Sequence, residues 1–102
     1  MSTTDTIIEE KTVVSKKFKK PNRYKVIVYN DDVTPMDFVI VMLCTIFKHS
    51  IDAATELTLK IHNQGSALAG IYSHEVAEQK TLDANAMAKE NGFPLIIKME
   101  AE

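Results

Sequence analysis

Six alternating residues that run straight into a helix-start signature constrain this chain more than any other stretch. Tyr24, Val26 and Val28 fall on one side, and Lys25, Ile27 and Tyr29 on the other. That two-residue period predicts a strand whose second face is half covered. Asn30-Asp31-Asp32-Val33 then turns the chain, because Asn and Asp side chains bond local backbone. Thr34 is expected to be the N-cap of a helix, with Pro35 at its first position and Asp37 completing a Thr-x-x-Asp capping pattern. Val39, Met42, Leu43, Ile46 and Phe47 recur at i, i+3, i+4, i+7 and i+8. This spacing predicts a helix to about Lys48 with one buried face.

The pattern breaks at His49-Ser50. Ser50 or Asp52 is expected to cap a second helix with Ile51, Ala54, Leu57, Thr58 and Ile61 on its inner side, stopped by a left-handed Gly65. Residues 67–72 read as a strand in which Gly70 lets another backbone come close. Ser73 caps a third helix, with Glu75 and Glu78 near its positive end and a weaker apolar side of Val76, Leu82, Ala86 and Met87. Asn91-Gly92 stops it, and Pro94 opens a last strand over residues 95–99. The expected fold is α+β, in the order β-α-α-β-α-β. A small three-stranded antiparallel sheet is covered by three helices, because no other layer exists to bury it.

At 102 residues the chain is one domain with a modest core. Its net charge of −2 gives no nucleic-acid bias, but the charge is unevenly placed. Residues 1–23 carry six bases and three acids, and the rest carries six bases and eleven acids. Residues 1–22 are polar and without sustained periodicity, so a flexible N-terminal extension is expected to precede a core domain over 23–102. The basic arm lacks the aromatic interleaving of an RNA-binding segment. Cys44 is the only cysteine and lies in the helical apolar pattern, which makes it a structural thiol and excludes a disulfide framework or thiolate zinc site. With no signal-peptide pattern and no long apolar run, a cytoplasmic protein without membrane contact is expected.

The chemistry concentrates at the strand-to-helix corner. One Asp would serve the turn and the helix dipole, and two adjacent acids repel each other. The surplus charge of Asp31-Asp32 beside Asn30 therefore hints at a cationic ligand. His62 ends the second helix and can fold back towards the pair, while Val33 and Met36 border it with apolar surface. Acidic groups next to an apolar hollow suit a ligand with a positive head and a greasy body, such as the N-terminus of another protein with a large first residue. Asp31, Asp32 and His62 could also bind a metal, although their spacing matches no familiar divalent pattern. His49 and His74 stand at element boundaries without an assigned role. No nucleophile elbow or Gly-rich phosphate loop is present, so neither catalysis nor a cofactor is expected.

The run from Tyr24 to Val39, with Asn30-Asp31-Asp32-Val33-Thr34-Pro35-Met36 at its centre, resembles the ClpS family. Ala54-Thr55-Glu56-Leu57, Ile61-His62-Asn63-Gln64-Gly65, Glu75 to Lys80, and Pro94-Leu95 continue the likeness in order, over about residues 22–100. These are bacterial and plastid adaptors that deliver N-degron substrates to a Clp AAA+ unfoldase of the ClpA or ClpC type. The resemblance implies that Asn30, Asp31, Asp32 and His62 surround the substrate's α-amino group, with Asp32 the closer acid. It implies that Thr34, Pro35, Met36, Val39, Thr58, Ile61 and Leu95 line a pocket for a first residue of the Leu, Phe, Tyr, Trp class, with Met36 excluding β-branched residues. Glu75 and Lys80 match positions that dock on the unfoldase's N-terminal domain, the arm matches the extension used in handover, and the adaptor is a monomer. One departure is Thr58, where the family often has Met. This shorter polar residue reshapes the pocket floor and bears on the preference within that class. The alternative is a ribosomal-stalk-like interaction domain, which has a comparable small α/β layout and would not depend on a free α-amino group.

Overall fold

Alternation in β1 (Tyr24–Tyr29) drives Val26 and Val28 fully into the core. The computed structural model describes residues 23–102, and the arm expected over 1–22 lies outside them. β2 (Ser66–Tyr72) and β3 (Ile96–Ala101) flank β1, both antiparallel to it, in the order β2-β1-β3. Helices α1 (Met36–Phe47), α2 (Ile51–Gln64) and α3 (His74–Glu90) complete the expected β-α-α-β-α-β order. They cover the face that carries Val26, Val28, Ala67 and Ile97, and Leu68 and Ile96 on the other face stay exposed. α1 packs against both other helices, α2 lies on β2, and α3 crosses all three strands. Met42 and Leu43 of α1 are fully buried at the centre, each worth about 1.5–3 kcal/mol of apolar burial.

The antiparallel register decides where a site can form. The end of β1 at Tyr29 pairs with Ser66 at the start of β2 and with Ile96 at the start of β3. The Asn30 corner, the C-terminal end of α2 and Leu95 therefore meet at one end of the sheet. The Asn30 N–H donates to the carbonyl of Gly65 at 2.8 Å and ties the corner to the end of α2. Gly65 holds φ 93°, the left-handed stop expected there.

Several local expectations need correction. Thr34 is not the N-cap: α1 starts at Met36, and Pro35 precedes it in extended conformation with no side-chain cap. Thr34 instead bonds Asp31, and among the described residues the Asp37 carboxylate accepts only from the neighbouring Phe38 N–H at 3.0 Å. Ile51 is 71 % exposed, because the apolar stripe of α2 runs out in its first turn. On α3, Val76, Leu82 and Ala86 point to solvent while Ala77, Ala84 and Ala88 are buried, since small side chains let this helix lie close across the strands. The space left by the missing side chain of Gly70 is taken by a side chain and not by a backbone. A Cβ there would meet the ring and hydroxyl of Tyr72, which folds back over the glycine towards Phe47. Ser50 and Ser73 cap α2 and α3 through Ala53 and Val76 N–H groups, as their positions suggest.

Two contacts lock the periphery. Asn85 of α3 donates to the Ile97 carbonyl at 2.9 Å and accepts from the Ile97 N–H at 3.1 Å, so a side-chain amide stands in for a neighbouring strand along the outer edge of β3. The His49 ring donates from Nε2 to the Ala69 carbonyl at 2.6 Å, next to the register shift between β1 and β2. No helix among the described residues is long and apolar enough to cross a membrane.

Candidate functional site

Asp31 builds the corner on which the rest of the site is mounted. Its Oδ1 accepts from the Val33 N–H at 2.7 Å and the Thr34 N–H at 2.8 Å, and its Oδ2 accepts from the Thr34 hydroxyl at 2.6 Å. Partial desolvation raises the carboxyl pKa. The Thr34 hydroxyl bond, with the Thr34 and Val33 amide bonds, outweighs it and leaves Asp31 below its ordinary value. The two adjacent acids thus have different jobs. Asp31 is committed to the loop. Asp32 is exposed and makes no hydrogen bond among the described residues.

The corner faces a cavity of about 430 Å³. Asn30, Asp31, Asp32 and His62 form its polar rim, and Met36, Val39, Ile61 and Leu95 form its apolar interior. Thr34, Pro35 and Thr58 also line it, so the structure brings all eleven residues singled out for the amine and the pocket to one hollow. Val33, expected as apolar surface beside the acids, also lines the hollow and is 66 % exposed. His62 stands in the last turn of α2, where the partial negative charge of the carbonyl end adds to that of Asp32. Val39, Ile61 and Leu95 are 5 %, 2 % and 5 % exposed, so an apolar group entering the hollow meets an apolar wall. The arrangement joins acceptors for a cation to an apolar hollow. No group of three or more His, Cys, Asp or Glu suited to a metal ion lies among the described residues.

Glu75 and Lys80 lie apart from this cavity. They line a second hollow of about 370 Å³ with Thr45, Ile46, Val76 and Gln79. Met36 and Ile46 are ten residues apart on α1, which separates the two hollows by roughly 15 Å along that helix. Lys80 is half buried: its ammonium donates to the Ile46 carbonyl at 2.8 Å and sits 5.3 Å from the Tyr72 ring centre. It closes the C-terminal end of α1, where Lys48 adopts a left-handed φ of 62°. Glu75 is exposed in the first turn of α3.

Comparison with known proteins assigns the chain to a family. The family model of the ATP-dependent Clp protease adaptor protein ClpS matches residues 19–98. The chain belongs to the ClpS family. A relative from Shewanella halifaxensis, described as ATP-dependent Clp protease adapter protein ClpS, is 44 % identical over 98 % of this chain and 98 % of its own length. One from Treponema denticola with the same description is 45 % identical over 87 % of this chain and 88 % of its own. Among solved structures, Agrobacterium tumefaciens ClpS2 bound to L-phenylalaninamide matches with a TM-score of 0.78 at 38 % identity, covering 81 % of this chain and 100 % of that one. The ClpS family likeness thus extends from the Asn30 corner to the whole architecture, and it places the chain among Clp protease adaptors rather than stalk-like domains.

Proposed function

We propose that this ClpS-family domain is a non-enzymatic, monomeric cytoplasmic adaptor. It grips the free α-amino group and the bulky hydrophobic first residue of N-degron proteins and delivers them to a Clp AAA+ unfoldase of the ClpA or ClpC type. The observation that carries this reading is the meeting of Asn30, Asp32 and His62 with the apolar wall of Val39, Ile61 and Leu95 in one cavity. L-phenylalaninamide, the ligand of the Agrobacterium tumefaciens relative, has a free α-amino group, a benzyl side chain and an amide where the next residue would begin. It is the chemical minimum of an N-terminal Phe.

Each rim group has a role under this reading. Asp32 supplies the negative charge, Asn30 its side-chain carbonyl, and His62 an unprotonated ring nitrogen, because an ammonium offers only donors. Asp31 acts through the turn it holds. Each charge-assisted bond contributes about 1.5–3 kcal/mol, and burial of a Leu or Phe side chain adds about 1.5–3 kcal/mol. Association costs roughly 4–15 kcal/mol, so either half of the ligand alone leaves little surplus over most of that range and both halves are needed. An internal Phe lacks the ammonium, and a Lys side chain lacks the adjacent apolar group. Glu75 and its neighbours on α3 supply the docking face for the unfoldase's N-terminal domain, and Lys80 holds the end of α1 against that face.

Fluorescence anisotropy with peptides that differ only at residue one tests the reading. Leu, Phe, Tyr and Trp peptides are expected to bind and Ala, Ser and Asp peptides to fail. Ile and Val peptides are excluded by Met36 at the mouth and admitted by Met36→Ala. Binding that ignores the first residue would refute the proposal.

A further inference from the structure

One polar residue of the cavity lining has no part in the amine-binding reading. Thr58 is the one buried polar residue among the described side chains, at 2 % exposed, and it lines the ligand cavity. Its hydroxyl proton is committed: Oγ1 donates to the Ala54 carbonyl at 2.7 Å, one turn back on α2. A hydroxyl oxygen engaged as a donor still has acceptor capacity, so Thr58 can take a hydrogen bond and cannot give another. Thr58 precedes His62 by four residues on the same face of α2, which sets it roughly 6 Å along the helix from the rim. That is about the reach of a tyrosine side chain whose α-amino group is held at the rim. The other interior walls (Met36, Val39, Ile61 and Leu95) are apolar.

We infer that Thr58 is a specificity-determining residue that favours tyrosine over phenylalanine at the substrate's first position, by accepting a hydrogen bond from the tyrosine hydroxyl. The inference rests on the N-degron reading above. Phenylalanine and leucine are not expelled, because the Thr58 donor is already satisfied and an apolar ring leaves no buried proton unpaired. Discrimination is therefore graded: one neutral hydrogen bond corresponds to roughly two- to tenfold in affinity. It does not approach the far larger factors of a site whose own donors go unsatisfied by the wrong ligand.

Anisotropy titrations with two peptides that differ only in Tyr or Phe at residue one, against wild type, Thr58→Val and Thr58→Ser, test the inference. Wild type is expected to bind the Tyr peptide two- to tenfold more tightly. Thr58→Val keeps the shape and removes the oxygen, so it should bring the Tyr-to-Phe affinity ratio to one or below. Thr58→Ser keeps the oxygen and should retain the preference, which guards against a misfolded valine variant. A wild-type ratio at or below one, or a ratio unchanged in Thr58→Val, overturns the role of Thr58 and leaves the N-degron reading standing. If the wild-type protein binds neither peptide through its free amine, that reading falls and takes this inference with it.

Discussion

At the scale of single residues, adjacent and chemically identical side chains do different work. Asp31 makes three hydrogen bonds within its own turn, and Asp32 makes none among the described residues. Asp31→Ala should therefore lower stability by about 1–2 kcal/mol, read by urea denaturation. Asp32→Ala should leave the midpoint nearly unchanged and weaken peptide binding at least tenfold. The acid side of the stability profile separates the pair further. The Asp31 carboxyl lies below its ordinary value of 3.8 when folded, so the stabilisation it gives is complete above that value and fades as pH falls through the lower folded one. The stability gap between wild type and Asp31→Asn should accordingly hold constant from neutrality down to about pH 5 and shrink below 3.8. A gap that ignores pH would contradict the role given to the carboxylate. His62 makes the opposite kind of prediction, for binding rather than folding. Its ring nitrogen is assigned as an acceptor for the ammonium, so His62→Ala should weaken binding of a Phe peptide at least tenfold. Unchanged affinity in that variant would remove His62 from the amine site.

At the scale of elements, the sequence reveals those whose periodicity is strong and obscures those packed through small residues. β1 and α1 are legible because period two gives way to a 3.6-residue rhythm across a turn-forming stretch. Val26, Val28, Val39, Met42, Leu43 and Phe47 are buried as that rhythm demands. α3 misleads because its contact face is built from Ala77, Ala84 and Ala88, whose hydropathy does not rise above that of the exposed Val76 and Leu82. The Thr34-Pro35 start misleads for a related reason. The same residues admit two local bonding schemes, and here the Thr34 hydroxyl donates to the Asp31 carboxylate while α1 begins after Pro35 without a side-chain cap. Asn85 has no sequence signal at all, since its importance lies in the strand edge it happens to face. Asn85→Ala should leave the Ile97 amide without its acceptor and speed its hydrogen exchange. The Lys25 to Val28 amides of the central strand should exchange as before. Equal exchange at Ile97 in both proteins would mean that the edge does not need the amide cap.

At the scale of the molecule, the antiparallel register and two helix ends bring the candidate site together. One end of the sheet gathers Asn30, the last turn of α2 and Leu95. The start of α1 brings Met36 to the same hollow, and its other end carries the face with Glu75 and Lys80. The rim residues were legible in sequence as a surplus of acid at a turn, while the division of labour between the two acids needed the hydrogen bonds. The hollow itself was legible only through family resemblance, because no periodicity relates Thr58 and Leu95 to a corner near residue 31. The claim on which all of this turns is that one cavity reads a charged amine and an oily side chain together. The most direct measurement is the affinity of one N-terminal Phe peptide with its α-amino group free and then acetylated. The account predicts at least about a hundredfold loss on acetylation, and equal binding of the two peptides would contradict it.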